Sequence, residues 1–154
     1  MLYLVERKKV VIVGIPGVGK TSLVTRIVEL INAEKHCASV HSYGTVMMDE
    51  AEGSEISDRD NLRHLPVSQQ KDLQKQAATK ISELTDDVVF IDTHAFISTD
   101  EGFYPGLPYH VIQILEPTHL IAISARPEEI YNRRMKDDTR NRDKISIEAI
   151  KKEL

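Results

Sequence analysis

Apolar positions along the chain follow two rhythms. Four short runs, Val10–Val13, Ser39–Tyr43, Val88–Asp92 and His119–Ser124, have the length and composition of strands buried on both faces. Between them the spacing changes to three and four. Leu23, Val24, Ile27, Val28 and Ile31 share one side of a helix after the first run. Leu73, Ala77, Ala78, Ile81 and Leu84 share one side of another, with Ser68 as its expected N-cap. Pro127 suits the first turn of a helix carrying Ile130, Tyr131 and Met135. Strands and helices alternating in this order predict an α/β fold, a parallel β-sheet flanked by helices on both faces. Ligands of such sheets gather beyond the carboxyl ends of the strands. Gly14–Thr21, Gly44–Met48, Asp92–His94 and an arginine-rich stretch after the fourth strand are all expected there.

Length and composition bound the reading further. A chain of 154 residues suits one domain, spanning 1–154, and should bury roughly 68–70% of the surface its unfolded form exposes. No apolar run is long enough to cross a bilayer and no cleavable leader precedes Val10, so a cytoplasmic protein without a membrane partner is expected. Cys37 is the lone cysteine, and no histidine stands at metal-ligand spacing from it or from another histidine, so neither a disulfide nor a structural zinc is expected. The net charge of −4 argues against a nucleic acid polymer as partner, because such binding draws on clustered Lys and Arg. Positive charge is concentrated instead around Lys20 and in "RRMKDDTRNRD" at 133–143.

The chemistry begins at "GIPGVGKT". Gly14 to Thr21 fits G-x-x-x-x-G-K-[ST] between an expected strand and an expected helix, the context a phosphate loop requires. Glycines let the backbone curl so that N–H groups point at phosphate oxygens, while the following helix aims its positive end at the same place. Gly14, Gly17, Val18, Gly19, Lys20, Thr21 and Ser22 are therefore the expected triphosphate-binding residues, with Lys20 reaching the β and γ phosphates and Thr21 reaching Mg²⁺. The bland alternative is a tight Gly-Pro turn that merely joins strand to helix. The Asp-x-x-Gly and Asn-Lys-x-Asp strings of a GTPase switch do not occur. Asp92, at the end of "VVFID", is the expected second part of the metal site, directly or through water.

Six strings taken together resemble one family. "GIPGVGKT", "YGTVM" at 43–47, "DRDNLRHL" at 58–65, "IDTH" at 91–94, "GFYPGLP" at 102–108 and "DDTRNRD" at 137–143 are similar, in this order, to the archaeal-type adenylate kinases among the nucleoside monophosphate kinases. The resemblance implies reversible, Mg²⁺-dependent transfer between ATP and AMP to give two ADP. It also implies an acceptor-binding region at about 44–84 and a short lid at about 136–144. Arg59 and Arg63 lie four apart and share a face if helical, so two guanidinium forks would grip the acceptor phosphate. The competing reading is a solvated helix in which Asp58, Arg59, Asp60 and Arg63 pair among themselves, at about 0.3–0.5 kcal/mol per pair. Asp49 and Glu50 occupy the stretch where bacterial relatives place an acceptor arginine.

Gly44 and Thr45 would border the monophosphate pocket, and "GFYPGLP", with Gly106, would close over the acceptor or else be an ordinary hydrophobic loop. His94 would orient a water or a phosphate, or simply pack or cap. Arg140 and Arg142 would cover the triphosphate and exclude water, while Arg133 or Arg134 would face the phosphates, and which of the two stays open. Relatives of this kind often assemble as trimers, and they continue past "ISIEAIKKEL" with a further strand and helices, so the last strand of the family fold is expected to be lacking. Rival functions are a kinase for another nucleoside monophosphate and an ATP-dependent assembly factor.

Overall fold

A computed structural model describes residues 6–51, 62, 65–99, 102–136 and 146–154. Its elements are β1 (Lys8–Val13), α1 (Lys20–Ala33), β2 (Ala38–Ser42), α2 (Tyr43–Glu50), α3 (Val67–Ser82), β3 (Val88–Asp92), β4 (Phe96–Thr99), β5 (Gly102–Pro105), α4 (Tyr109–Leu115), β6 (His119–Ala122), α5 (Pro127–Lys136) and α6 (Ile147–Glu153). Four strands form one sheet in the order β2-β3-β1-β6. Every pairing in it is parallel, with Val11 opposite Ile91, Ile12 opposite Ile121 and Val40 opposite Phe90.

The alternation of side chains along β1 divides the core between the two faces of the sheet. Val11 and Val13 join Val89 and Ile91 on one face, beneath Tyr43 and Val46 of α2, Ala77, Ala78 and Ile81 of α3, and Val111 and Leu115 of α4. Val10, Ile12 and Phe90 face the other way, onto Val24 of α1 with Ile27, Val28 and Ile31 beside it. Each fully buried Ile or Val here contributes about 1.5–3 kcal/mol. A third cluster of Val18, Ile130 and Ile150 fastens the loop after β1 to α5 and α6. Among the described residues strand β6 has a neighbour on one side only, so Leu120 and Ile121, expected in a strand buried on both faces, are exposed.

Several local expectations shift. Strand β2 ends at Ser42, and Tyr43 opens a helix, because its ring is buried from the helical side of the sheet. Helix α3 starts at Val67 behind Pro66, whose φ of −51° and ψ of 140° supply the extended turn; no side chain caps it, so Ser68 sits inside the first turn. Leu23 and Met135, expected on buried faces, are exposed. Part of the "GFYPGLP" segment is a strand: β5 pairs antiparallel with β4, Ile97 opposite Tyr104. No helix among the described residues is long and apolar enough to cross a membrane.

Candidate active site

The loop after β1 is built around two left-handed residues. Gly17 has φ 92°, and a Cβ there would lie 3.1 Å from Arg134 Cγ and 3.2 Å from Ile130 Cγ2, so both backbone and packing demand glycine. Gly19, at φ 97°, is the N-cap of α1. From that cap the helix begins at Lys20, which carries the central charge of the site.

Lys20 is only 6% exposed. Its Nζ donates to the Gly14 carbonyl at 2.6 Å and lies 3.8 Å from Asp92 Oδ1 and 3.4 Å from His94 Nδ1. His94 Nδ1 is itself 3.0 Å from the Gly14 carbonyl and donates to it only in the tautomer that carries the proton on Nδ1; in the other tautomer it accepts from the Lys20 ammonium. Thr21 Oγ1 lies 3.4 Å from Asp92 Oδ2, at the mouth of the loop, and Ser22 beside it is exposed. Strands β1 and β3 bring these groups together because they are adjacent and parallel and both end at this edge. A hydroxyl and a carboxylate converging next to an ammonium group form a hard oxygen set suited to Mg²⁺.

The outside of the loop is equally organised. Arg134 Nε donates to the Pro16 carbonyl at 2.8 Å, and Arg133 Nη1 donates to the Val18 carbonyl at 2.9 Å and approaches that of Gly17 at 3.3 Å. Both guanidinium groups therefore meet the carbonyl side of the loop. Arg134 is buried, and its Nη2 donates to Glu153 Oε2 at 2.7 Å with Nη1 3.5 Å from Oε1. Sequence reasoning missed Glu153. Ser146, whose Oγ accepts from the Ala149 N–H, marks the start of α6 but not the contact that Glu153 makes.

Gly44 and Thr45, expected to border the acceptor, lie in the first turn of α2. Tyr43 anchors that turn by donating its hydroxyl to the Gln74 carbonyl of α3 at 2.6 Å, and burial pushes its phenol well above the usual range. Gly106 donates its N–H to the Ala95 carbonyl, and a Cβ on it would stand 2.1 Å from the His94 carbonyl oxygen. Its close approach fixes the backbone that carries His94. Phe103 is exposed, whereas Leu107 packs on the core. Arg59, Arg63, Arg140 and Arg142 lie outside the described residues, as do residues 137–144 of the expected lid.

The family model described as "AAA domain" matches residues 13–151. The adenylate kinase of Methanocaldococcus jannaschii is 41% identical over 147 residues, which is 94% of this chain and 77% of that protein. The adenylate kinase of Pyrococcus abyssi is 41% identical over 145 residues, covering 93% of this chain and 72% of that one. Among solved structures, that of APE1195 aligns with a TM-score of 0.55 at 22% identity, over 86% of this chain and 69% of that one, a likeness of fold. With a glycine loop, a buried lysine and a strand-end aspartate in place, and such relatives along nearly all its length, the chain belongs to the adenylate kinase family of phosphotransferases.

Proposed function

We propose that this chain transfers the γ-phosphoryl group of ATP reversibly to AMP, giving two ADP. The observation that carries the reading is the buried Lys20 ammonium beneath the glycine loop, with Asp92 and Thr21 beside it. The acceptor is already an anion, so the catalyst need not supply a strong base; it must cancel charge and align the two phosphates. Thr21 and Asp92 would hold Mg²⁺, which would supply neutralisation of phosphate charge.

Lys20 now spends its ammonium on the Gly14 carbonyl and would turn from it to the β and γ oxygens. His94 Nδ1 stands 3.0 Å from that carbonyl, so with its proton on Nδ1 the ring would meet Gly14 when Lys20 leaves. Gly19 caps α1 on the same side, and the positive end of the helix adds to the lysine. In this reading Gly44 and Thr45 border the acceptor nucleoside, Arg59 and Arg63 hold its phosphate, and Arg140 and Arg142 cover the donor. The lone thiol supports a cytoplasmic setting.

A coupled assay across AMP, CMP, UMP and GMP tests the acceptor. AMP is expected to lead by about tenfold or more in kcat/KM. A pyrimidine preference would contradict the reading, and so would ATP hydrolysis indifferent to any monophosphate. Replacing Asp92 by Asn should raise the Mg²⁺ concentration needed for half-maximal rate by about tenfold or more; an unchanged requirement would remove Asp92 from the metal site.

A further inference from the structure

A backbone that turns successive N–H groups toward an anion must turn carbonyls the other way, and those carbonyls need donors of their own. Here the carbonyls of Pro16, Gly17 and Val18 are met by two consecutive arginines from α5. Arg134 is the inner of the two. All three of its side-chain nitrogens are directed: Nε to Pro16, and Nη1 and Nη2 to the two carboxylate oxygens of Glu153. The Arg134 side chain is 6% exposed and that of Glu153 25%. A guanidinium so deep in the protein holds its place only while its charge is matched.

We propose that Glu153 is a positioning residue for the phosphate loop, acting through Arg134: its carboxylate fixes the plane of the guanidinium, and the guanidinium holds the Pro16 carbonyl outward. The N–H groups on the other side of the loop are thereby kept ready for the polyphosphate of a nucleoside triphosphate. Arg134 Cγ lies over the bare face of Gly17, 3.1 Å from where a Cβ would stand, so the brace is steric as well as polar. The pair also joins α6 to α5, so the last described helix bears on a site formed at the opposite end of the sequence. This inference rests on reading Gly14–Thr21 as the triphosphate site.

The test is calorimetry of tripolyphosphate binding to the full chain and to its Glu153→Gln, Glu153→Ala, Glu148→Gln and Lys20→Ala variants. Glu148 is exposed on the same helix, so Glu148→Gln reads the general effect of removing one negative charge near an anion site. Relative to that control, both Glu153 variants should bind tripolyphosphate about 5- to 10-fold more weakly. They should raise KM for ATP by the same factor and leave KM for AMP unchanged, a split that general destabilisation would not give. Affinity within about twofold of the Glu148→Gln control in a folded Glu153 variant overturns the proposal, as does an equal rise in both KM values. Should the alanine variant not fold, the isosteric glutamine variant decides. If the parent chain itself does not bind tripolyphosphate through Lys20, the loop reading fails and this inference with it. If the parent binds and only the Glu153 variants are indifferent, the loop reading stands and this inference falls.

Discussion

Two strand-to-helix turns leave the same edge of the sheet and do opposite things. Between β1 and α1 the chain inserts Gly14 to Gly19, with two residues at positive φ and the first helical side chain an ammonium group. Between β2 and α2 it inserts nothing: Ser42 ends the strand and Tyr43 begins the helix. The long turn presents the carbonyls of Pro16, Gly17 and Val18 outward, where Arg133 and Arg134 brace them. The short turn has no slack to form a nest. It offers instead a bare backbone at Gly44 and a hydroxyl at Thr45, pinned by Tyr43 to α3. Binding a polyphosphate through main chain thus requires length, left-handed glycines and outside support together. On the proposed reading, a neighbouring turn without them would border a neutral ribose or base, and the charge of an acceptor phosphate would be met from side chains elsewhere.

The largest expected effect breaks the first turn at its charge. Lys20→Ala should lower kcat/KM by about 10³-fold or more while circular dichroism shows an intact fold, because the lysine matters most as charge migrates. A wild-type rate would remove it from the site. Next come matched substitutions of one glycine in each turn. Gly17→Ala places a side chain at φ 92° against Arg134 and Ile130, and should cost about 1–2 kcal/mol in urea unfolding and weaken ATP. Gly44→Ala sits in a helix and should gain about 0.5–1 kcal/mol, yet raise KM for AMP. Equal stability changes in the two variants would erase the contrast between the turns.

The smallest effect uses the far end of the sheet as a control. Cys37 precedes β2, and its thiol donates to Asp86 at 3.0 Å, which raises its pKa and keeps the reactive thiolate scarce. Asp86→Asn should speed labelling of Cys37 at pH 8 several-fold and leave phosphoryl transfer unchanged; a matching loss of transfer would tie that end to the site. Hydrogen bonds from Ser39 and then Cys37 hold the Asp86 carboxyl below its usual range. Its contribution to stability is present above the ordinary carboxylate pKa of about 3.9 and lost as pH falls through the lowered value, so Asp86→Asn should flatten the acid limb of the stability curve.

How legible each region is follows from how local its cause is. β1 and β3 are apolar on both faces, and the phosphate loop is one unbroken string, so both can be read directly. The β2–α2 junction shifts by a residue because a buried tyrosine serves a strand end and a helix start equally well. The β4–β5 hairpin escapes the pattern because Phe96 and Phe103 point to solvent, leaving no buried stripe to mark it. The roles of Arg133 and Arg134 depend on carbonyls more than 110 residues away, and that of Glu153 on a partner 19 residues back, so no spacing rule reaches them.

The most direct measurement is a calorimetric titration of AMP into protein saturated with a non-hydrolysable ATP analogue. If the two turns hold two nucleotides at once, AMP should bind with one-to-one stoichiometry and an affinity equal to, or tighter than, that in the free protein. An apparent Kd for AMP that climbs in proportion to the analogue present would mean a single shared pocket, and would contradict phosphoryl transfer between neighbours.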